Sequence, residues 1–241
     1  MTALDRVSFD VTPGSIVGVI GPNGAGKTSL FNCITRLYRP SSGTITVNGT
    51  DLLAARPHDV IRLGIARTFQ NVALFARMTV LENVLVGDHS RVRAGMVAAA
   101  LMLPAVRTAE KEAVGRAMAA LQVVGLDQVA QRPVAGLPFG TQKRIELARA
   151  LVSRPKLLLL DEPAGGLSHD ELGELSALIR LVHRDYEVTI LLVEHHMNLV
   201  MSLSDRVVVL SFGRKIAEGT PDEVRNDQAV IDAYLGTAGA A

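Results

Sequence analysis

Gly21-Pro22-Asn23-Gly24-Ala25-Gly26-Lys27-Thr28 is the stretch on which the reading of this chain turns. It fits the pattern G-x-x-x-x-G-K-[ST] in full. Glycines let the backbone wrap so closely that its N–H groups point at phosphate oxygens, and a following helix adds its positive end. Lys27 can reach the β- and γ-phosphates of a nucleoside triphosphate, and the Thr28 hydroxyl can ligate Mg²⁺, with Ser29 next to it in the phosphate-binding set. The pattern requires a strand before it and a helix after it. Residues 15–20 are a short apolar run of the kind that forms a buried strand. Leu30, Phe31, Ile34 and Leu37 recur at helical spacing until Pro40 stops the helix.

Outward from the loop, the chain alternates. Val7, Phe9 and Val11 are interleaved with Ser8, Asp10 and Thr12, which predicts a half-buried strand. Residues 44–47 run into Asn48-Gly49, a strand followed by a turn signal. From about residue 88 to 153 the texture becomes alanine-rich helix, with Val114, Ala117, Met118 and Leu121 on one apolar face and Ile145, Ala148 and Val152 on another. These residues read as a helical subdomain, 88–153, inserted into a core of 1–87 and 154–241. Strand patterns return at 157–160, 188–193 and 206–210, separated by helical segments, one of which starts at a Ser168/Glu171 capping box. Strands alternating with helices predict an α/β fold with a mainly parallel sheet, plus an antiparallel N-terminal β part.

A second segment carries chemistry. Leu157-Leu158-Leu159-Leu160-Asp161-Glu162-Pro163 delivers two carboxylates at the C-terminal end of a buried strand, where parallel sheets bind ligands. Asp161 is suited to hold Mg²⁺ through water, which leaves Glu162 to polarise an attacking water. His195 follows an apolar run at an equivalent strand end, placed to hydrogen-bond a γ-phosphate or that water; adjacent His196 has no such case and reads as structural. Gln70 ends the strand-like Gly64-Ile65-Ala66-Arg67-Thr68-Phe69, and its side-chain carbonyl is a further candidate Mg²⁺ ligand and γ-phosphate sensor.

Composition narrows the class. The 241 residues are 48% hydrophobic and 20% charged with a net charge of +1, so no electrostatic case for nucleic acid arises. Cys33 is the only cysteine, which excludes an internal disulfide and fits a reducing cytosol. The opening Met1-Thr2-Ala3-Leu4-Asp5 lacks the build of a signal peptide. The apolar stretch 96–106 is broken by Pro104 and is about half the roughly 20 residues a spanning helix needs. A membrane role would therefore need another subunit to cross.

Taken in order, the phosphate loop, Gln70, a signature segment, Asp161-Glu162, Ala164-Gly165-Gly166-Leu167-Ser168 and His195 resemble the nucleotide-binding subunit of ABC transporters over nearly the whole chain. The resemblance implies a P-loop NTPase (RecA-like) core, ATP and Mg²⁺ as cofactors, and a head-to-tail pair with a second ATP-binding subunit, identical or different. Each ATP then lies between one phosphate loop and the partner's signature helix. It further implies permease subunits docked near Gln70, indirect service of an extracytoplasmic solute-binding protein, and a cytoplasmic position on the inner face of the membrane. The signature stands here as Leu137-Pro138-Phe139-Gly140-Thr141-Gln142-Lys143-Arg144, where most of the family has Leu-Ser-Gly-Gly-Gln. Pro138 lacks a hydroxyl and an N–H, while Phe139, Gly140 and the helix N-terminus remain as the partner-facing anion site.

That Leu-Pro-aromatic-Gly form resembles the ATPases of branched-chain amino acid importers. Ile65-Ala66-Arg67-Thr68-Phe69-Gln70-Asn71, Val193-Glu194-His195, the insertion around 91–107 and the Tyr234-Leu235-Gly236 ending agree. The subfamily also includes importers of amides and urea. Two departures stand out: His196 replaces the usual acidic residue after the switch histidine, and Thr2-Ala3-Leu4 corresponds to a point beyond the family's first strand and its adenine-stacking aromatic. The expectation is a chain that starts late, with ATP binding weakened roughly five- to a hundred-fold on the ~1–3 kcal/mol scale of base stacking. Two other readings stay open: an exporter ATPase, for example for lipopolysaccharide, and a weakly active nucleotide-binding regulatory subunit. The segment 72–84, with Leu74, Phe75 and Met78, reads equally as a docking surface for the membrane subunit or as core filling.

Overall fold

The computed structural model describes residues 2–70, 72–89 and 104–238. The apolar stretch 96–106 and the insertion 91–107 fall largely outside them. The chain forms two compact units, one of residues 1–70 with 156–241 and one of residues 71–155.

The first unit is built on a six-stranded sheet of order β4-β5-β6-β1-β7-β8. Its strands are β1 (Ile16–Ile20), β4 (Ile65–Arg67), β5 (Leu157–Asp161), β6 (Thr189–Val193), β7 (Arg206–Ser211) and β8 (Arg214–Gly219). All neighbours are parallel except β7 and β8, which pair antiparallel. β1, β5 and β6 are near-continuous runs of aliphatic residues because both faces of a parallel sheet are covered. β8 carries Arg214, Lys215 and Glu218, an edge too polar for the apolar-run criterion, which is why no strand is predicted there from sequence.

Strand register sets where the motifs emerge. Val19 of β1 pairs with Val193 of β6, and Val193 pairs with Asp161 of β5. The phosphate loop, the Asp161-Glu162 pair and His195 therefore leave the sheet at its C-terminal edge within two residues of one row. Helix α1 (Lys27–Ile34) starts inside the loop and buries Leu30, Phe31 and Ile34. It ends earlier than Pro40 suggests: Arg36 takes φ 62°, and Leu37 is exposed rather than on the core face.

The alternating segment 7–11 behaves half as expected. Val7, Phe9 and Val11 pack against the core cluster around Phe31, Leu159 and Leu191, while Ser8, Asp10 and Thr12 are exposed. No strand forms there, because no described strand offers it a ladder partner. The N-terminal antiparallel part among the described residues is the two-residue pair β2 (Thr46–Val47) and β3 (Thr50–Asp51), joined by Asn48 at φ 49° and Gly49 at φ 76°. Those angles are the type I′ hairpin turn that the Asn-Gly pair favours. Helix α5 (His169–Tyr186) carries the Ser168/Glu171 capping box in both directions. The unit is completed by α6 (Met197–Leu203), α7 (Pro221–Arg225) and α8 (Gln228–Ala238).

The second unit packs α2 (Val80–Val86), α3 (Pro104–Val123) and α4 (Phe139–Leu151) on one another. The division falls after Gln70, ahead of the 87/88 join read from alanine content, because α2 belongs with the helices. Ile145, Ala148 and Val152 are buried as expected, as are Ala117 and Leu121 of α3, but Val114 is 38% exposed and Val106, Ala113 and Ala120 complete the buried face. Small residues face inward on α3, so neighbouring helices can approach closely and the larger valine is turned to solvent. Asp88, fully buried, accepts from Arg116 Nε at 3.1 Å and Nη2 at 2.7 Å, and this contact holds the Arg116 guanidinium above its usual pKa.

Leu159, with none of its surface exposed, lies in the core of the first unit. Leu159→Ala is expected to lower the unfolding free energy by about 2–5 kcal/mol, read as a drop in urea midpoint at unchanged slope.

Candidate ATP site

The residues assigned to one site by the sequence fall in two sets. Gly21 to Ser29, Gln70, Asp161, Glu162 and His195 belong to the first unit, and Phe139 and Gly140 belong to the second.

The loop is held by backbone geometry that only glycine tolerates at two points. Gly21 has φ 153°, and a Cβ there would lie 2.1 Å from the Leu210 carbonyl oxygen. Gly26 has φ 102° as the residue before α1, where a Cβ would meet the Ala3 carbonyl at 2.7 Å and Leu4 Cδ2 at 2.9 Å. Ala25 is buried, and its carbonyl accepts from the Gly213 N–H at 3.0 Å, while its own N–H donates to Pro22 at 3.1 Å. Asn23, Gly24 and Thr28 face solvent. The Lys27 ammonium curls back into the loop and donates to the Gly21 carbonyl at 2.6 Å and the Pro22 carbonyl at 3.1 Å. Burial holds Lys27 below the usual lysine pKa, and the charges of Glu162 and Asp161 act in the opposite direction. A buried cation resting on two exchangeable loop carbonyls at the start of a helix is an arrangement suited to polyanions.

Beyond β5 the two carboxylates diverge. Asp161 is buried, and its Oδ2 accepts from Arg67 Nη2 at 2.6 Å. Glu162 turns out of the strand with φ 45°, its N–H donating to the Val193 carbonyl at 2.9 Å. A glutamate in the left-handed region is uncommon, and such strain collects at functional sites. It leaves the Glu162 carboxylate partly open, where Gln70 Nε2 donates to Oε2 at 2.7 Å. Gln70 lies three residues past the end of β4, and it is the amide nitrogen rather than the carbonyl that meets the acid. His195 Nδ1 stands 3.7 Å from the same Glu162 oxygen, and its side chain is half exposed. Glu162, Gln70 and His195 are thus brought together over the sheet edge.

A family model described as ABC transporter matches residues 4–165. The chain belongs to the ABC transporter family. A second model, described as branched-chain amino acid ATP-binding cassette transporter, matches residues 214–240 of this cassette. The cassette is 45% identical to the high-affinity branched-chain amino acid transport ATP-binding protein LivG of Salmonella typhimurium, over 99% of the chain and 93% of that protein. It is 43% identical to the corresponding protein BraF of Pseudomonas aeruginosa over the same shares. A solved ATP-binding cassette of an ABC transporter in its ADP conformation superposes with a TM-score of 0.84 at 30% identity, covering 97% of this chain and 92% of that one. The fold is that of ATP-hydrolysing, nucleotide-binding cassettes, an α/β core with a mostly parallel sheet. No helix among the described residues is long and apolar enough to cross a membrane.

In the second unit of the cassette, Pro138 caps α4 with φ −54° and ψ 150°, angles its ring favours. Phe139 opens the helix 44% exposed, with the Lys143 ammonium 5.5 Å above its ring, and Gly140 follows in the first turn. Gln142 anchors the segment by donating through Nε2 to the Leu137 carbonyl at 2.8 Å.

Two residues at the site carry structure that no motif flagged. Arg67 lies near the Phe31 and Phe69 rings, 5.5 and 5.1 Å from their centroids, and also donates to Asn32 Oδ1 at 2.8 Å and Thr35 Oγ1 at 3.2 Å. Glu194, with no exposed surface, accepts from the Ala164 N–H at 2.6 Å and the His195 N–H at 3.0 Å. The available signal was a charged residue within or at the end of an apolar strand, a place that demands a partner. Arg67→Met removes the guanidinium bonded to the buried Asp161 carboxylate and should cost about 3–5 kcal/mol of stability. Adding Asp161→Asn should recover most of it, as measured by chemical denaturation of both variants.

Proposed function

We propose that this cassette energises an importer of branched-chain amino acids or similar small polar solutes by binding and hydrolysing ATP. The observation that supports it best is the convergence of Glu162, Gln70 and His195 beside the phosphate loop. Gly21 to Ser29 would hold the triphosphate, with Lys27 exchanging its two loop carbonyls for β- and γ-phosphate oxygens. Mg²⁺, which would neutralise phosphate charge when bound, would be held by Thr28, Gln70 and Asp161, all oxygen donors suited to it. Thr28 faces solvent at the loop, and Asp161 is fixed by Arg67. Glu162 orients and polarises the attacking water. His195 donates to the γ-phosphate or to that water, and Gln70 reports whether the site is filled through its contact with Glu162.

Phe139 and Gly140 at the α4 N-terminus serve the phosphate of a second ATP-binding subunit, so the site is completed by pairing. The relatives' transport role, together with the Leu-Pro-Phe-Gly segment and the match at 214–240, favours import over export. The cassette then sits on the inner face of the membrane against permease subunits, themselves served by a solute-binding protein. Buried Asn83 presents Phe75 for such docking. Its Oδ1 accepts from the Phe75 N–H at 2.8 Å and its Nδ2 donates to the Phe75 carbonyl at 3.1 Å, which leaves the ring 53% exposed. That exposure favours the docking reading for Phe75, while Val80 and Val84 of the same segment are buried as core.

Glu162→Gln is expected to lower phosphate release by about 10²–10⁴-fold while ATP binding persists. Equal release by the two proteins would instead favour the weakly active regulatory reading. Phe75→Asp should abolish solute uptake in reconstituted vesicles with basal ATPase activity unchanged; normal uptake would sink the docking assignment.

A further inference from the structure

His196 is the residue that the hydrolytic reading does not use, and it stands where the resembled family carries an acid. Its neighbours make it informative. One ligand atom each from Glu194, His195 and His196 lie within 4.8 Å of one another. The two imidazole centroids are 4.5 Å apart, with the rings tilted by 35°. His195 Nδ1 is 3.8 Å from Glu194 Oε2 and 3.7 Å from Glu162 Oε2, so the His195 imidazole faces both carboxylates.

Glu194 is the fixed member. Its Oε1 accepts from the Ala164 N–H, and its Oε2 accepts from the N–H groups of His195 at 3.0 Å and His196 at 3.3 Å. A carboxylate offers about four acceptor positions, so a lone pair remains for a cation. Glu194 is buried, His195 is exposed and His196 is half-buried. Zinc binds imidazole nitrogen at about 2.0–2.1 Å and carboxylate oxygen at about 2.0–2.2 Å, which sets ligand atoms roughly 3.4 Å apart in a tetrahedral shell. The cluster is wider than that by at most about 1.4 Å, a distance that imidazole rotation can close.

We propose that Glu194, His195 and His196 form an inhibitory site for a divalent transition ion of the zinc class, with Glu162 placed to complete the shell. Two imidazoles and a carboxylate are borderline donors that suit zinc or copper better than Mg²⁺. Binding holds the His195 imidazole, and with it the Glu162 carboxylate, away from the phosphate and water. This inhibitory consequence, unlike the binding itself, rests on the hydrolytic reading of those two residues.

The test titrates nucleotide-free protein with Zn²⁺ in competition with a chromophoric chelator. Wild-type protein should withdraw one equivalent, and His196→Asn should bind at least about tenfold more weakly. Asparagine is chosen because position 196 caps α6 without a side-chain bond, and Asn is a favoured cap that keeps the helix start. In a second arm at buffered free Zn²⁺, phosphate release by wild type should fall while His196→Asn keeps its zinc-free rate. Equal zinc affinity in the two proteins overturns the site. Zinc that binds through His196 without slowing phosphate release supports the binding site and overturns its inhibitory role.

Discussion

The alignment of Val19, Val193 and Asp161 across three neighbouring parallel strands is the constraint on which the site depends. Adjacent strands lie about 4.8 Å apart, so residues leaving one row at the same edge emerge within a few such spacings of one another. The phosphate loop follows Val19, Glu162 follows Asp161, and His195 follows Val193. No long-range side-chain contact is needed to assemble them. A slip of one residue in β5 would turn Asp161 to the other face of the sheet. The aliphatic runs on both sides of β6 thus secure the register and the chemistry together.

Charges buried at this edge are each answered in a different way. Asp161 is matched by Arg67, whose guanidinium lies near two aromatic rings and also bonds Asn32 on the first helix and Thr35 just past its end. Glu194 has no cationic partner at hydrogen-bond distance among the described residues; three backbone N–H groups hold it instead. Lys27 rests on two loop carbonyls that a phosphate could replace. The first two arrangements are rigid, and the third is an exchangeable one. Rigid supports around an exchangeable cation fit the proposed binding and release of a phosphate at this loop.

Much of this was legible in the residues because it depends on local rules. The apolar runs of β1, β5 and β6, the Ser168/Glu171 cap and the Asn48-Gly49 turn all formed where their patterns sit. Misreadings arose where a local pattern needed a distant partner. Residues 7–11 alternate correctly yet form no strand, since alternation specifies a face and a ladder requires a neighbour. Helix α1 stops at Ile34 because Arg36 turns left-handed, although Leu37 continues the spacing. On α3 the alanines rather than Val114 face inward, a choice set by the closeness of α2 and α4.

The sequence by itself determined the phosphate loop, the strand-end acids and the order of the motifs, because backbone freedom at glycine and the burial of aliphatic runs act over a few residues. Tertiary structure alone decided that Arg67 neutralises Asp161, that Gln70 meets Glu162 through its amide nitrogen, and that Glu194 anchors a histidine pair. Those contacts join residues up to 94 positions apart, and their geometry depends on strand register and burial, which no window of sequence contains.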